Sequence, residues 1–320
     1  STPVSAPEHS GNDRSVGSPH AGADVLSHLA GSVYRLGAAV EHTDVVARLL
    51  DVYVVRRQAV AGAQAQDVSA VLRAVVGATV LRDTEPAVTL DALALDRHEP
   101  ASIASAVAVA RDSARRAREV VSTELWDCLD VTRSRMPRKV GGDRAHDFLT
   151  WAKERSALAV GVVDGDASRD EVWAFFTLGR SITRCRSTAA LLGSALLDDE
   201  SADSWSDALR GCGAREAFRR GSHPEVEPAE AAAFLLLDTN SPRALAFLAH
   251  RAADGLAGVA PACVAEQVAG FRRAVAALDA VAPGDALAAL AGVTAQLASA
   301  AAAVDAALEE RVFQAPAPVS

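Results

Sequence analysis

Glu41, His42 and Asp44 fall within little more than one helical turn of the stretch LSHLAGSVYRLGAAVEHTDVVARLLDV, residues 26–52. They bring two carboxylates and an imidazole together. A second stretch, DEVWAFFTLGRSITRCRSTAALL at 170–192, aligns with the first without a gap at an offset of 142 residues, Leu36 matching Leu178. It carries Thr183-Arg184 where the first carries Glu41-His42. The copies thus retain one acid and one base, at neighbouring and non-equivalent positions. Three arrangements are open to Glu41 and Arg184. Facing helices would close an ion pair across a bundle, a poor net stabiliser that nonetheless fixes register. The same two groups could bind the amine and carboxylate of an amino-acid-like ligand. Or they stand apart as solvated residues. His42 has two readings as well, as a group titrating near neutral pH beside Glu41 or as a partly exposed helix histidine. Asp44 and Arg48, four apart, read as local helix support.

Other chemistries find little purchase. There is no E-x-x-H pair, so a di-iron carboxylate bundle is disfavoured and no metal is expected. Gly211-Cys212-Gly213 has neither a lysine nor a preceding strand, so it is no phosphate loop, and no cofactor is expected. No Ser or Cys sits in a recognisable nucleophile motif, which leaves the catalytic residues unassigned. Cys128, Cys185, Cys212 and Cys263 stand far apart and read as reduced thiols. Asp96-Arg97-His98-Glu99 precedes a helix, where capping accounts for Glu99. Trp126 and Trp173 read as core anchors.

These residues must be positioned by helices. Among 320 residues half are apolar but only 4% aromatic, so the core is built from Ala, Val and Leu. The net charge of −9 argues against a general nucleic-acid binder. Leu26, Leu29, Val33, Leu36, Val40, Thr43, Ala47 and Leu50 alternate in steps of three and four, the stripe of a helix running from about Asp24 to Val60, with Asp24 or Ser27 as its cap. Further helices are expected at 67–81, 101–129, 147–160, 170–192, 204–220 (with glycine interruptions), 229–237, from Pro242 to 256, 264–278 and 286–308. Within 101–129 the stripe runs through Ile103, Val107, Ala110, Ala114, Ala117, Val121, Leu125 and Cys128, while Arg111, Arg115, Arg118 and Glu119 form a solvated face. Gly161 to Asp166 reads as a turn, and Ser168 with Glu171 as a capping box. The apolar run 286–308 is interrupted by Thr294, Gln296, Ser299 and Asp305 and reads as a bundle helix, not a membrane span. No segment alternates with period two. The expected fold is all-α, a multi-helix bundle of about eight to ten helices with two related halves. Residues 1–22 read as a disordered tail or linker and 313–320 as a disordered tail, flanking one helical domain at 23–312 with a possible internal repeat at 26–52 and 168–194.

Four sets of residues, in order, resemble the α-E family of predicted α-helical bacterial domains named for an E-R dipeptide. They are Tyr34-x-Leu36-Gly37-x-x-x-Glu41 with Ala47-Arg48-Leu49-Leu50-Asp51; Pro100-x-Ser102-Ile103 with Ala110-Arg111 and Ser122-x-Glu124-x-Trp126; Ser168-Arg169-Asp170-Glu171-x-Trp173 with Leu178-Gly179-Arg180; and Phe234-Leu235-Leu236-Leu237-Asp238 with Pro242-Arg243. The resemblance implies a cytoplasmic helical protein that works beside an ATP-grasp ligase-like protein, in trans or fused before Ser1, and with a transglutaminase-like protein. Such a set would make or modify an amide-linked peptide or small molecule. The resemblance supplies no reaction for the helical domain itself. The chain departs from the family pattern at Glu41-His42 and Thr183-Arg184, each of which keeps one half of the E-R pair, so the motifs are expected to be degenerate. Three roles follow: accessory partner of the ligase, an aminoacyl- or small-molecule-binding enzyme using Glu41 and Arg184, or a structural interaction protein.

Overall fold

The computed structural model describes residues 19–59, 86–141, 144–194, 201–221 and 225–313. Among these the chain is all-α, with no strand and twelve α-helices against the eight to ten expected. The expected helix at 67–81 lies outside the described residues, as do the segments 1–18 and 314–320.

Two long helices form the centre, α1 (Pro19–Ala59) and α6 (Glu171–Leu192), which pack most extensively on each other. They are the two related stretches of the sequence. The apolar stripe of α1 explains its place: Val33, Leu36, Val40, Thr43, Ala47 and Leu50 are all buried. On one flank α1 receives α3 (Ile103–Arg116) and α5 (Ala145–Asp166). On the other flank α6 receives α10 (Leu245–Val259) and α12 (Ala286–Arg311). Helix α2 (Pro86–Leu95) packs on α3, as does α4 (Thr123–Ser134). Helices α7 (Ala202–Cys212), α8 (Arg215–Arg220), α9 (Pro228–Leu237) and α11 (Ala265–Asp279) complete the layers.

The crossing of α1 over α6 is built on two glycines. A Cβ on Gly37 would lie 2.1 Å from the carbonyl oxygen of Phe176, and one on Gly179 would lie 2.1 Å from that of Tyr34. Phe176 and Gly179 are the equivalents of Tyr34 and Gly37, so the contact is reciprocal. Further along, Leu49 and its equivalent Leu191 both close on Gly211 of α7. The close contacts at Gly37 and Gly179, and those of Leu49 and Leu191 with Gly211, thus fall at matching positions of the two stretches.

Several boundaries differ from expectation, each for a local reason. Helix α1 begins at Pro19, so Asp24 and Ser27 lie within it and not at its start. The expected single helix at 101–129 is two helices, because Ser122 turns outward and its hydroxyl accepts from the Leu125 N–H to cap α4. Its eight stripe residues are nevertheless all buried. Pro86 opens the short helix α2, which the apolar pattern did not separate from its surroundings. Gly161 to Asp166 is no turn: α5 runs to Asp166, since both Gly161 and Gly165 face open space and leave the helical backbone unstrained. The cap of α6 is Asp170, not Ser168, with its carboxylate accepting from Trp173 N–H. Pro242 lies in a turn three residues before α10. The expected helix at 204–220 breaks at Gly213, whose φ of 72° ends α7 in the left-handed conformation.

Trp126 and Trp173 are half-buried and not core anchors; Arg111 and Arg118 stack on the first and Arg169 on the second. The buried tryptophan is Trp205. The four cysteines are free, with Cys128, Cys185 and Cys212 buried and Cys263 exposed. Helix α12 is long and apolar enough to cross a membrane by length and composition. Here Leu290, Leu297, Val304 and Leu308 are buried against its neighbours, and Asp305 accepts from Tyr34 at 2.7 Å and from Arg186 at 2.8 Å.

Candidate functional site

Beside the glycine crossing the sequence places Arg180 on α6, and about one turn beyond it Glu41 on α1 and Arg184 on α6. The close backbone approach at Gly37 and Gly179 brings these side chains within reach. Arg184 grips Glu41 with two nitrogens: its Nε donates to Oε1 and its Nη2 donates to Oε2 at 2.8 Å. Arg180 adds a third positive contact, with Nε 3.3 Å from Glu41 Oε2, an ionic approach without hydrogen-bond alignment. The carboxylate is 2% exposed, the Arg184 side chain 15%. Of the three arrangements open to Glu41 and Arg184, the structure has the ion pair between copies.

Asp44 lies one turn on and takes part in the same cluster. It accepts from Arg48 Nε at 2.9 Å and from Arg243 Nη1 at 2.9 Å, and Arg184 Nη2 stands 3.9 Å away. The Asp44–Arg48 pair is therefore more than local helix support. Arg243 comes from the turn between α9 and α10, so Asp44 ties that turn to α1. Asp238 shapes the turn by accepting the N–H groups of Asn240 and Ser241. Burial alone would raise the Asp44 carboxyl, but Arg243 and Arg48 outweigh it and hold the pKa at about 2. Burial disfavours the charge on Arg180 and lowers its pKa, against the attraction of Glu41. Arg243 is raised: its own burial works the other way, and Asp44 overcomes it.

His42 is not part of the cluster. Its Nε2–H donates to the Ala101 carbonyl at 3.1 Å, which ties α1 to the segment before α3. Burial pushes its pKa below the ordinary histidine value, so the ring is neutral at pH 7. Glu99 is buried beside this contact and accepts the Ala101 N–H at 3.0 Å; the cap of α3 itself is Ser102. Thus Glu41, Arg184 and Asp44 come together, and His42 serves a neighbouring structural contact.

Sequence reasoning missed Arg180, Arg243 and the second role of Arg48. All three belong to segments that carry the family resemblance, Leu178-Gly179-Arg180, Pro242-Arg243 and Ala47-Arg48, and that was the available signal. Chemically the cluster is a closed clamp of two carboxylates and four guanidiniums contributed by α1, α6 and the α9–α10 turn. Among the described residues no group of three or more His, Cys, Asp or Glu side chains is placed to hold a metal ion.

The comparisons with known proteins follow this geometry. The family model described as Alpha-E, "a predicted alpha-helical domain with a conserved ER motif", matches residues 25–313. No curated protein and no solved structure matches the chain. The Glu and Arg that the sequence keeps in separate copies are joined here across the helix crossing. With nearly the whole chain matched and an all-helical fold beneath it, the chain belongs to the Alpha-E family.

Proposed function

We propose that the chain is a helical partner domain of an ATP-dependent amide-bond-forming system, acting with an ATP-grasp ligase-like protein in the cytoplasm. A transglutaminase-like protein is a second candidate partner. The observation that carries the reading is the state of Glu41. Its carboxylate is buried, and both oxygens are engaged by arginines of α6. The one acid–base pair that the sequence offers for chemistry is committed to holding two helices together. A ligand bound through Glu41 and Arg184 would have to break a bidentate buried pair, which weighs against the enzyme reading. Family membership supports the association with a ligase, because the resemblance implies that setting.

The test is co-expression with a candidate ATP-grasp ligase-like protein, followed by co-purification and assay of ATP turnover. Association, with stimulated turnover, is the expected result. No association and no effect on turnover would sink the reading. Stimulation that persists in an Arg184→Met variant that remains folded would further separate partner from catalyst.

A further inference from the structure

Beyond Arg48, on the side away from the clamp, lies an open cleft of about 340 Å³ between the C-terminal half of α1, α5 and the α7–α8 turn. Its size lies within the range of small-ligand sites. Arg48, Lys153, Arg210 and Arg215 line it, against the carboxylates of Asp51 and Glu216. Asp51 is already satisfied, by Lys153 Nζ at 2.9 Å and His146 Nδ1 at 2.7 Å. Arg48 reaches the cleft because residue 213 is glycine: a Cβ there would sit 2.8 Å from its Nη1. The left-handed turn at Gly213 therefore both ends α7 and admits the guanidinium. Arg210 and Arg215 flank that glycine, and neither has an acidic partner within ion-pair distance among the described residues. Within the cleft, four basic side chains, Arg48, Lys153, Arg210 and Arg215, meet two carboxylates. This local positive excess stands in a chain of net charge −9.

Guanidiniums side by side on a cleft wall, with no acidic partner for Arg210 or Arg215 among the described residues, repel one another, and a ligand with more than one negative charge relieves that repulsion. A guanidinium fork pairs bidentately with a phosphoryl group, and a phosphoryl group has more acceptor oxygens and more charge to share between two forks than a carboxylate has. We propose that this cleft binds a phosphoryl-bearing small molecule, with Arg210 and Arg215 gripping its oxygens while Arg48 and Lys153 supply the positive floor. A cation in the last turn of α7 accounts for Arg210 through the helix dipole, but Arg215 stands in the first turn of α8, where the dipole disfavours a cation. The proposal goes beyond the partner-domain reading and does not depend on it, since binding is measured on this chain alone.

Isothermal titration of the full chain with inorganic phosphate, pyrophosphate and ADP, at low and at high salt, tests it. Saturable binding of pyrophosphate or ADP is expected, weaker at high salt. Arg210→Gln combined with Arg215→Gln should weaken it at least about tenfold with an unchanged circular dichroism spectrum, whereas Glu216→Gln should tighten it. Arg210 is exposed and Arg215 partly so, and the single variants serve if the double variant fails to fold. Equal affinity for pyrophosphate and ADP would assign the site to the phosphoryl group alone, and tighter ADP binding would add a contact to the nucleoside. No saturable binding of any probe at millimolar concentration would overturn the proposal. So would equal affinity in the arginine variants, which would mark adventitious binding elsewhere.

Discussion

Asp44 is the residue whose surroundings most change its chemistry. Two guanidiniums at 2.9 Å hold its pKa at about 2, against an ordinary 3.8. A carboxyl whose pKa is depressed by folding adds stability that is complete above its unfolded value and is lost as the pH falls through the folded value. The window is therefore pH 3.8 down to about 2. Asp44→Asn should remove this contribution, so urea midpoints of the natural chain should fall more steeply across that window than those of the variant. The difference in unfolding free energy should be about 2 kcal/mol. At pH 7 the variant should be less stable by a similar amount, because Arg48 and Arg243 lose their acid. His42 also loses stability on acidification, but through burial of its neutral form and not through ion pairing. It is neutral when folded, so protonating it at acid pH opposes folding, and His42→Gln should lose less stability between pH 7 and pH 5 than the natural chain does.

At the scale of elements, the α1–α6 crossing depends on a missing methyl group. Gly37→Ala would drive a Cβ to within 2.1 Å of the Phe176 carbonyl, and Gly179→Ala would do the same at Tyr34. A backbone carbonyl cannot swing aside as a flexible side chain can, so the helices must part. Either substitution should cost about 3 kcal/mol or more in urea unfolding, at the upper end for overpacking. The helical glycines of α5 supply the contrast. Gly161 and Gly165 meet nothing within 4 Å, and replacing either with Ala should stabilise the chain by up to about 1 kcal/mol through helix propensity. Equal effects at Gly37 and Gly161 would show that the close crossing is not what selects glycine.

Across the whole molecule, what could be read in advance was whatever repeats along the chain. The stripe from Val33 to Leu50 announces α1 because burial on one face imposes a period, and the copy at 170–192 announces α6 in the same way. The Glu41–Arg184 pair was legible as one of three alternatives, since the repeat set the two residues at neighbouring positions without saying that the helices cross there. Arg180 and Arg243 were not, because an ion pair over 139 or 199 residues leaves no periodic trace. The break at 117–122 was hidden for a related reason: the stripe continues through it, and only the Ser122 cap marks the new helix. Gly161 and Gly165 misled in the other direction, because an exposed helix face tolerates glycine.

The central claim is that Glu41 and Arg184 serve as a clamp that couples α1 to α6. Its most direct test is a double-mutant cycle in urea unfolding at pH 7, using Glu41→Gln, Arg184→Met and the pair together. Removing one partner strands a buried charge, so each single change should cost about 3 kcal/mol and the double variant much less than the sum, a coupling of about 2 kcal/mol. Costs that add to within about 0.5 kcal/mol would show that the two residues do not hold each other, and would contradict the clamp.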